Sequence, residues 1–191
     1  MRRVAADPFL DDAVGQLLKT KRLAEAALAQ LEPEQWFERP DPESNSVAIL
    51  VKHMAGNMRS RWTDFLSSDG EKPDRRRDAE FEHEETDTLP SLRERWEQGW
   101  ASCFAAIEPL TTADLKRVVT IRGEPHTVLQ AIARQVSHYA YHVGQIVYLA
   151  RHLVGERWRS LSIPKGMSAS YEVGRDGRPY GLSGDAPPPA S

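Results

Sequence analysis

Residues 127–154 read TVLQAIARQVSHYAYHVGQIVYLARHLV, an amphipathic run bounded by the breakers Gly123 and Pro125 on one side and Gly155 on the other. At about 100° per residue, Val128, Ile132, Val136, Tyr139, Val143, Ile146 and Ala150 cluster within about 60° of one direction. A helix with such a stripe is marginal alone in water and needs other apolar faces to cover it. Three further segments carry the same periodicity. The first runs from about Pro8 to Leu31, with Leu10, Val14, Leu17, Leu18 and Leu28 as its stripe and Pro33 beyond its end. The second starts after Asn45 or Ser46, either of which can cap it, and runs to about Ser67. The third follows Pro90, which suits a first helical turn, and reaches Glu108 before Pro109. Four such helices and no sheet predict an all-α fold, a four-helix bundle with long crossover connections.

The connections are polar. DGEKPDRRRDAEFEHEETDT, between the second and third helices, reads as an irregular crossover. Within it Arg75, Arg76 and Arg77 sit among Asp74, Asp78 and Glu80, which predicts a solvated loop. KRVVTIRGEPHTV, before the fourth helix, holds a short β-branched run, a strand or hairpin with no sheet to join. A chain of 191 residues suits one domain. The bundle is expected over residues 1–160 and an extended tail over 161–191, disordered in its final part. A net charge of −3 and a pI near 6.1 supply no bulk attraction to nucleic acid or to anionic membrane. The N-terminus lacks the apolar run of a signal peptide, and no stretch approaches the about 18 apolar residues of a membrane span, so the expected compartment is cytoplasmic. The single cysteine, Cys103, excludes an internal disulfide and a multi-cysteine zinc site, and reads as a buried thiol.

The histidines carry the chemistry. His138 and His142 lie at one shoulder of the fourth helix's apolar arc, about 60° to 100° from its centre. On the second helix Val47, Leu50, Met54, Met58, Trp62 and Phe65 define the arc, and His53 falls at a shoulder there too, next to Asn57. Two imidazoles at i and i+4 stack one above the other and can chelate one ion. A third from a facing helix would make a tripod that leaves a coordination position open. The competing reading has each histidine cap a polar hole, or sit wet at the bundle end. His83, His126 and His152 do not join the pattern and are expected in solvent. The residues between the pair are Tyr139, Ala140 and Tyr141, without the glutamate of a zincin peptidase.

The segments LVKHMAGNMRSRW and SHYAYHVGQIVYLAR, with LSIPKGMSASY downstream, resemble the DinB/YfiT-like superfamily, and within it a bacterial branch of small proteins. The resemblance spans about residues 10 to 170. It implies a four-helix bundle in which one histidine of the second helix and a histidine pair of the fourth hold a divalent metal. Those positions match His53, His138 and His142. It further implies relatives that are thiol-dependent S-transferases and isomerases using bacillithiol, mycothiol or glutathione, and some hydrolases. Dimers are common among them.

The expected function is therefore a metal-dependent enzyme, a thiol-dependent S-transferase or a related transferase or hydrolase. The alternative is a non-catalytic metal or small-molecule binding protein whose ion stiffens the bundle. The donor set suits zinc, nickel, iron or copper, with zinc or nickel expected, and a low-molecular-weight thiol is the expected cosubstrate. The expected partners are a small-molecule substrate and a second copy of the chain, without nucleic acid or membrane. Tyr141 and Tyr148 share the outward face of the fourth helix, as a partner surface or as a site covered by the tail. Asn57 and Arg61 are the candidate catalytic residues. Arg61 lies about 20° from the centre of its helix's apolar arc, where a guanidinium is costly without an anion. It is expected to pair with an acidic residue of another helix such as Glu94 or Glu97, to snorkel out at the bundle end, or to bind a carboxylate of the thiol cosubstrate or the substrate.

Overall fold

The computed structural model describes residues 7–167. Its four long helices are α1 (Pro8–Leu28), α2 (Val47–Trp62), α3 (Leu89–Ile107) and α4 (Val128–Val154). Each begins on a side-chain cap. Asp7 accepts from the amides of Phe9 and Leu10, Ser46 from Ile49 and Thr88 from Ser91. Thr127 and Gln130 close a capping box on α4. Such a cap contributes about 1 kcal/mol and fixes where a helix starts. α4 ends at Gly155, whose φ of 62° suits a residue without a side chain. The second helix stops five residues short of the expected Ser67. Thr63 turns extended and Asp64 takes a φ of 48°, and the Asp64 carbonyl then accepts from the amides of Ser67 and Ser68 in a turn.

α2 packs along α3 and α1 along α4, with α2 and α4 also in contact. Trp36, Trp62, Trp96, Trp100 and Tyr139 are buried among the aliphatic stripes. At the centre Trp62 Nε1 donates to the Tyr139 hydroxyl at 2.9 Å, and that hydroxyl donates to Asn57 Oδ1 at 3.2 Å. Among the described residues no helix is long and apolar enough to cross a membrane. Cys103 is buried, as its surroundings in the sequence suggest, and burial pushes its thiol well above the usual range.

Two expectations need correction. The expectation of no sheet fails, because the β-branched run read as a strand or hairpin forms an antiparallel two-stranded sheet of its own, β1 (Val118–Ile121) with β2 (Glu124–Thr127). Arg122 and Gly123 form its two-residue turn with φ of 55° and 77°, the twist that matches paired strands. The hairpin needs no larger sheet because it leans on the crossover. Asp69 accepts from the amides of Arg122 and Gly123, both at 2.9 Å, and Gly70 N donates to Thr120 O at 2.8 Å.

The crossover between α2 and α3 is irregular, as expected, but it is packed. Glu80 and Asp87 are each 7% exposed. The Arg75 side chain is 4% exposed, against 80% for Arg76 and 47% for Arg77. The solvated-loop reading therefore holds for two of the three arginines and fails for Arg75. Polar composition misled because these charges are buried as pairs, which removes most of the penalty of taking each from water alone. Lys52 joins them, donating to Asp87 at 2.7 Å and to the Glu82 carbonyl at 2.9 Å. Tyr141 and Tyr148 face outward at 63% and 80% exposure. Most of the tail, from residue 168, lies outside the described residues.

Candidate metal centre

His138 and His142 rise one turn apart on α4, and α2 carries His53 toward them. One ring nitrogen from each of the three lies within 4.8 Å of the others. The ring centroids are separated by 4.6 Å for His138–His142, 4.8 Å for His53–His142 and 5.6 Å for His53–His138. His53 and His142 are buried and His138 is half-buried. The sequence-predicted triad is thus one cluster. His152 is exposed on α4. His83 is exposed yet within 3.1 Å of the α2 cap, Ser46 Oγ. His126 is half-buried on the hairpin, its Nδ1 3.0 Å from the Glu124 carbonyl.

The hydrogen bonds around the rings decide which nitrogens face the centre. His53 Nδ1 lies 2.9 Å from Glu80 Oε2. A carboxylate only accepts, so Nδ1 carries the proton, and in the neutral ring Nε2 holds the free lone pair. His142 Nδ1 lies 2.8 Å from Gln145 Oε1, which assigns the same tautomer. Its Nε2 then meets His138 Nε2 at 3.1 Å. Two imidazole nitrogens on one tetrahedral zinc, each at about 2.0–2.1 Å, stand about 3.3 Å apart. A proton on His138 Nε2 would bridge this pair as a hydrogen bond, whereas with the proton on Nδ1, which has no hydrogen-bond partner among the described residues, two lone pairs converge and a cation between them would turn their repulsion into ligation. The donor set therefore fits a divalent ion, with His53, His138 and His142 as its holders.

The electrostatics favour neutral rings at His138 and His142. Burial, with His142 and His53 beside it, pushes His138 down to about 3. Burial also lowers His142, partly opposed by the bond to Gln145. Burial alone would raise the Glu80 carboxyl, but hydrogen bonds from His53 and Arg75, with the charge of Arg75, hold it below the ordinary carboxylate range. Arg75 grips Glu80 as a fork, Nε to Oε1 at 2.8 Å and Nη2 to Oε2 at 2.7 Å, and its Nη1 reaches Glu71 at 3.0 Å.

Sequence reasoning missed Glu80, Arg75, Gln145 and Gly56. Gln145 is three residues beyond His142 and could have been found from helical spacing. Glu80 and Arg75 carry no such signal. Gly56 is one turn past His53, where a Cβ would lie 2.8 Å from Glu80 Cδ and closer still to Oε1. Its missing side chain is the space that Glu80 occupies. A cleft of about 390 Å³ opens between α2, α3 and the crossover, lined by Gly56, Arg75 and Glu80 among others. It touches the outer side of Glu80 and none of the imidazoles, so the converging nitrogens, not the cleft, define the centre.

The other two candidates sit further along α2. Asn57 is buried, and its Oδ1 accepts from Tyr139, so that oxygen serves the core. Arg61 is 3% exposed. It pairs with neither Glu94 nor Glu97. Glu94 instead accepts from Gln98, and Glu97 pairs with Lys21. The carboxylate nearest to Arg61 is Glu71, 3.9 Å from Nη2 and shared with Arg75 and Arg122. Among the described residues Arg61 Nε and Nη1 have no hydrogen-bond partner, and Nη1 packs where a Cβ at Gly70 would be 2.5 Å away.

The model of a family described as "Protein of unknown function (DUF1572)" matches residues 4–167. A comparison with curated proteins finds no match.

Proposed function

The chain belongs to the DUF1572 family, and from its histidine cluster we propose that it is a metal-dependent enzyme, a thiol-dependent S-transferase or a related transferase or hydrolase. The observation that carries this reading is the convergence of three imidazoles with the outward nitrogens of His53 and His142 already engaged. The resemblance to the DinB/YfiT-like superfamily supports it, and with it the choice of zinc or nickel. Bound by three imidazoles, a divalent ion would supply Lewis acidity to a water or thiol placed at its open position. The protein's own contribution is to hold neutral imidazoles ready, with Glu80 and Gln145 fixing two of their tautomers. Arg61 would offer its unpaired Nε and Nη1 to a carboxylate of the substrate or of the thiol.

The test is a screen of the metal-loaded protein with glutathione, bacillithiol and mycothiol against small electrophiles, and with simple esters and amides. Product is expected with at least one pair and should vanish on chelation and return with metal. Arg61→Lys keeps the charge but loses the fork, so it should raise KM for an anionic substrate several-fold at unchanged metal content. A protein that holds one ion yet turns over nothing in this panel would favour the alternative, a binding protein whose ion stiffens the bundle.

A further inference from the structure

His142 is oriented from within its own helix, whereas His53 is oriented by a residue of another element. Its Nδ1 reaches Glu80 in a 3-10 turn, Asp78–Phe81, that rides on α2. The neighbouring Phe81 ring lies 4.7 Å from the His53 ring at 34°, so the turn also covers the imidazole face. Three features hold the carboxylate there. Arg75 takes both of its oxygens. Glu71 in turn takes Arg75. Gly56 leaves the space, since any side chain at that position would displace Glu80. A glycine inside α2 costs about 0.5–1 kcal/mol relative to alanine, and the room for Glu80 is what the helix gains for it.

We propose that Glu80 is the positioning residue of the metal centre, clamped by Arg75 and admitted by Gly56, so that ion binding and docking of the crossover are coupled. This rests on the metal reading of His53, His138 and His142. A carboxylate on the far nitrogen of a ligating imidazole fixes its tautomer and rotation and makes it a stronger donor, and losing one weakens a metal about 10- to 100-fold. Glu80 is not among the converging donors, which are the three histidines alone, and its Oε2 is engaged by His53 Nδ1. Coupling is reciprocal, so the ion must stabilise the docked crossover by the factor that the docked crossover strengthens the ion.

The experiment titrates Zn²⁺ into the full chain against a chromophoric chelator, for native protein, Glu80→Gln and Gly56→Ala, and follows amide hydrogen exchange over residues 74–82 with and without the ion. Glu80→Gln is expected to bind zinc about 10- to 100-fold more weakly. Gly56→Ala should retain its far-ultraviolet circular dichroism and still lose about 10-fold or more in affinity. That loss opposes what helix propensity alone predicts for this substitution. Zinc should slow exchange over residues 74–82 in the native chain and do so much less in Gly56→Ala. If native protein binds zinc and both variants bind it equally well, Glu80 has no positioning role. Exchange in this segment that ignores zinc would overturn the coupling. Native protein that takes up no zinc or other divalent ion would remove the metal reading itself, a separate outcome.

Discussion

Helix α4 brings His138 and His142 together through its own pitch, whereas the crossover brings Glu80 to His53 across 27 residues through packing. The first contact exists wherever the helix exists. The second requires Arg75 to be buried, Gly56 to be bare and the 3-10 turn to lie on α2. The two regions also differ in how burial treats charge. On α4 burial keeps the imidazoles neutral, and in the crossover Glu80 and Arg75 stay ionised by facing one another. One half of the centre follows from secondary structure, and the other is assembled by tertiary structure.

The largest effect that separates the regions is expected at Arg75. Arg75→Met strands Glu80 without its fork in a buried place and should destabilise the protein by about 3 kcal/mol. Arg76→Met and Arg77→Met, a residue or two away but exposed, should stay within about 0.5 kcal/mol. Urea denaturation checks all three, and equal effects would make the crossover the solvated loop that its composition suggests.

A smaller effect separates the regions by pH. Burial holds His83, His138 and His142 below the ordinary histidine range in the folded chain, His138 at about 3. As pH falls through the unfolded value, the unfolded chain takes up protons that the folded chain refuses, so stability present above it is lost on the way down. The urea midpoint of the metal-free protein should therefore fall between pH 7 and pH 5, and His138→Gln should make that fall shallower. The carboxylate of Glu80, held below its ordinary range, titrates only under this window. A flat midpoint across it would contradict the neutral, buried state of the α4 pair.

The sequence disclosed the helical half of this site and little of the rest, for physical reasons. His138, His142 and His53 could be placed because a helix converts residue number into angle. The cap of α2 could be narrowed to Asn45 or Ser46 because a cap acts within three residues, and Ser46 is the one that caps it. The crossover could not, since a buried Arg75 beside a buried Glu80 has the same composition as two solvated charges. Arg122-Gly123 is a hairpin turn, but its partner is Asp69, far back in the chain. Arg61 was recognised as costly to bury, yet its nearest carboxylate lies in the crossover and not on α3.

The central claim is that His53, His138 and His142 hold one divalent ion together. Elemental analysis of the purified protein and of the single variants His53→Ala, His138→Ala and His142→Ala tests it most directly, with His83→Ala, His126→Ala and His152→Ala alongside. The account predicts about one ion per chain in the native protein and in the last three variants, and a sharp loss in each of the first three with helical circular dichroism retained. Undiminished metal in His53→Ala, His138→Ala and His142→Ala would contradict it.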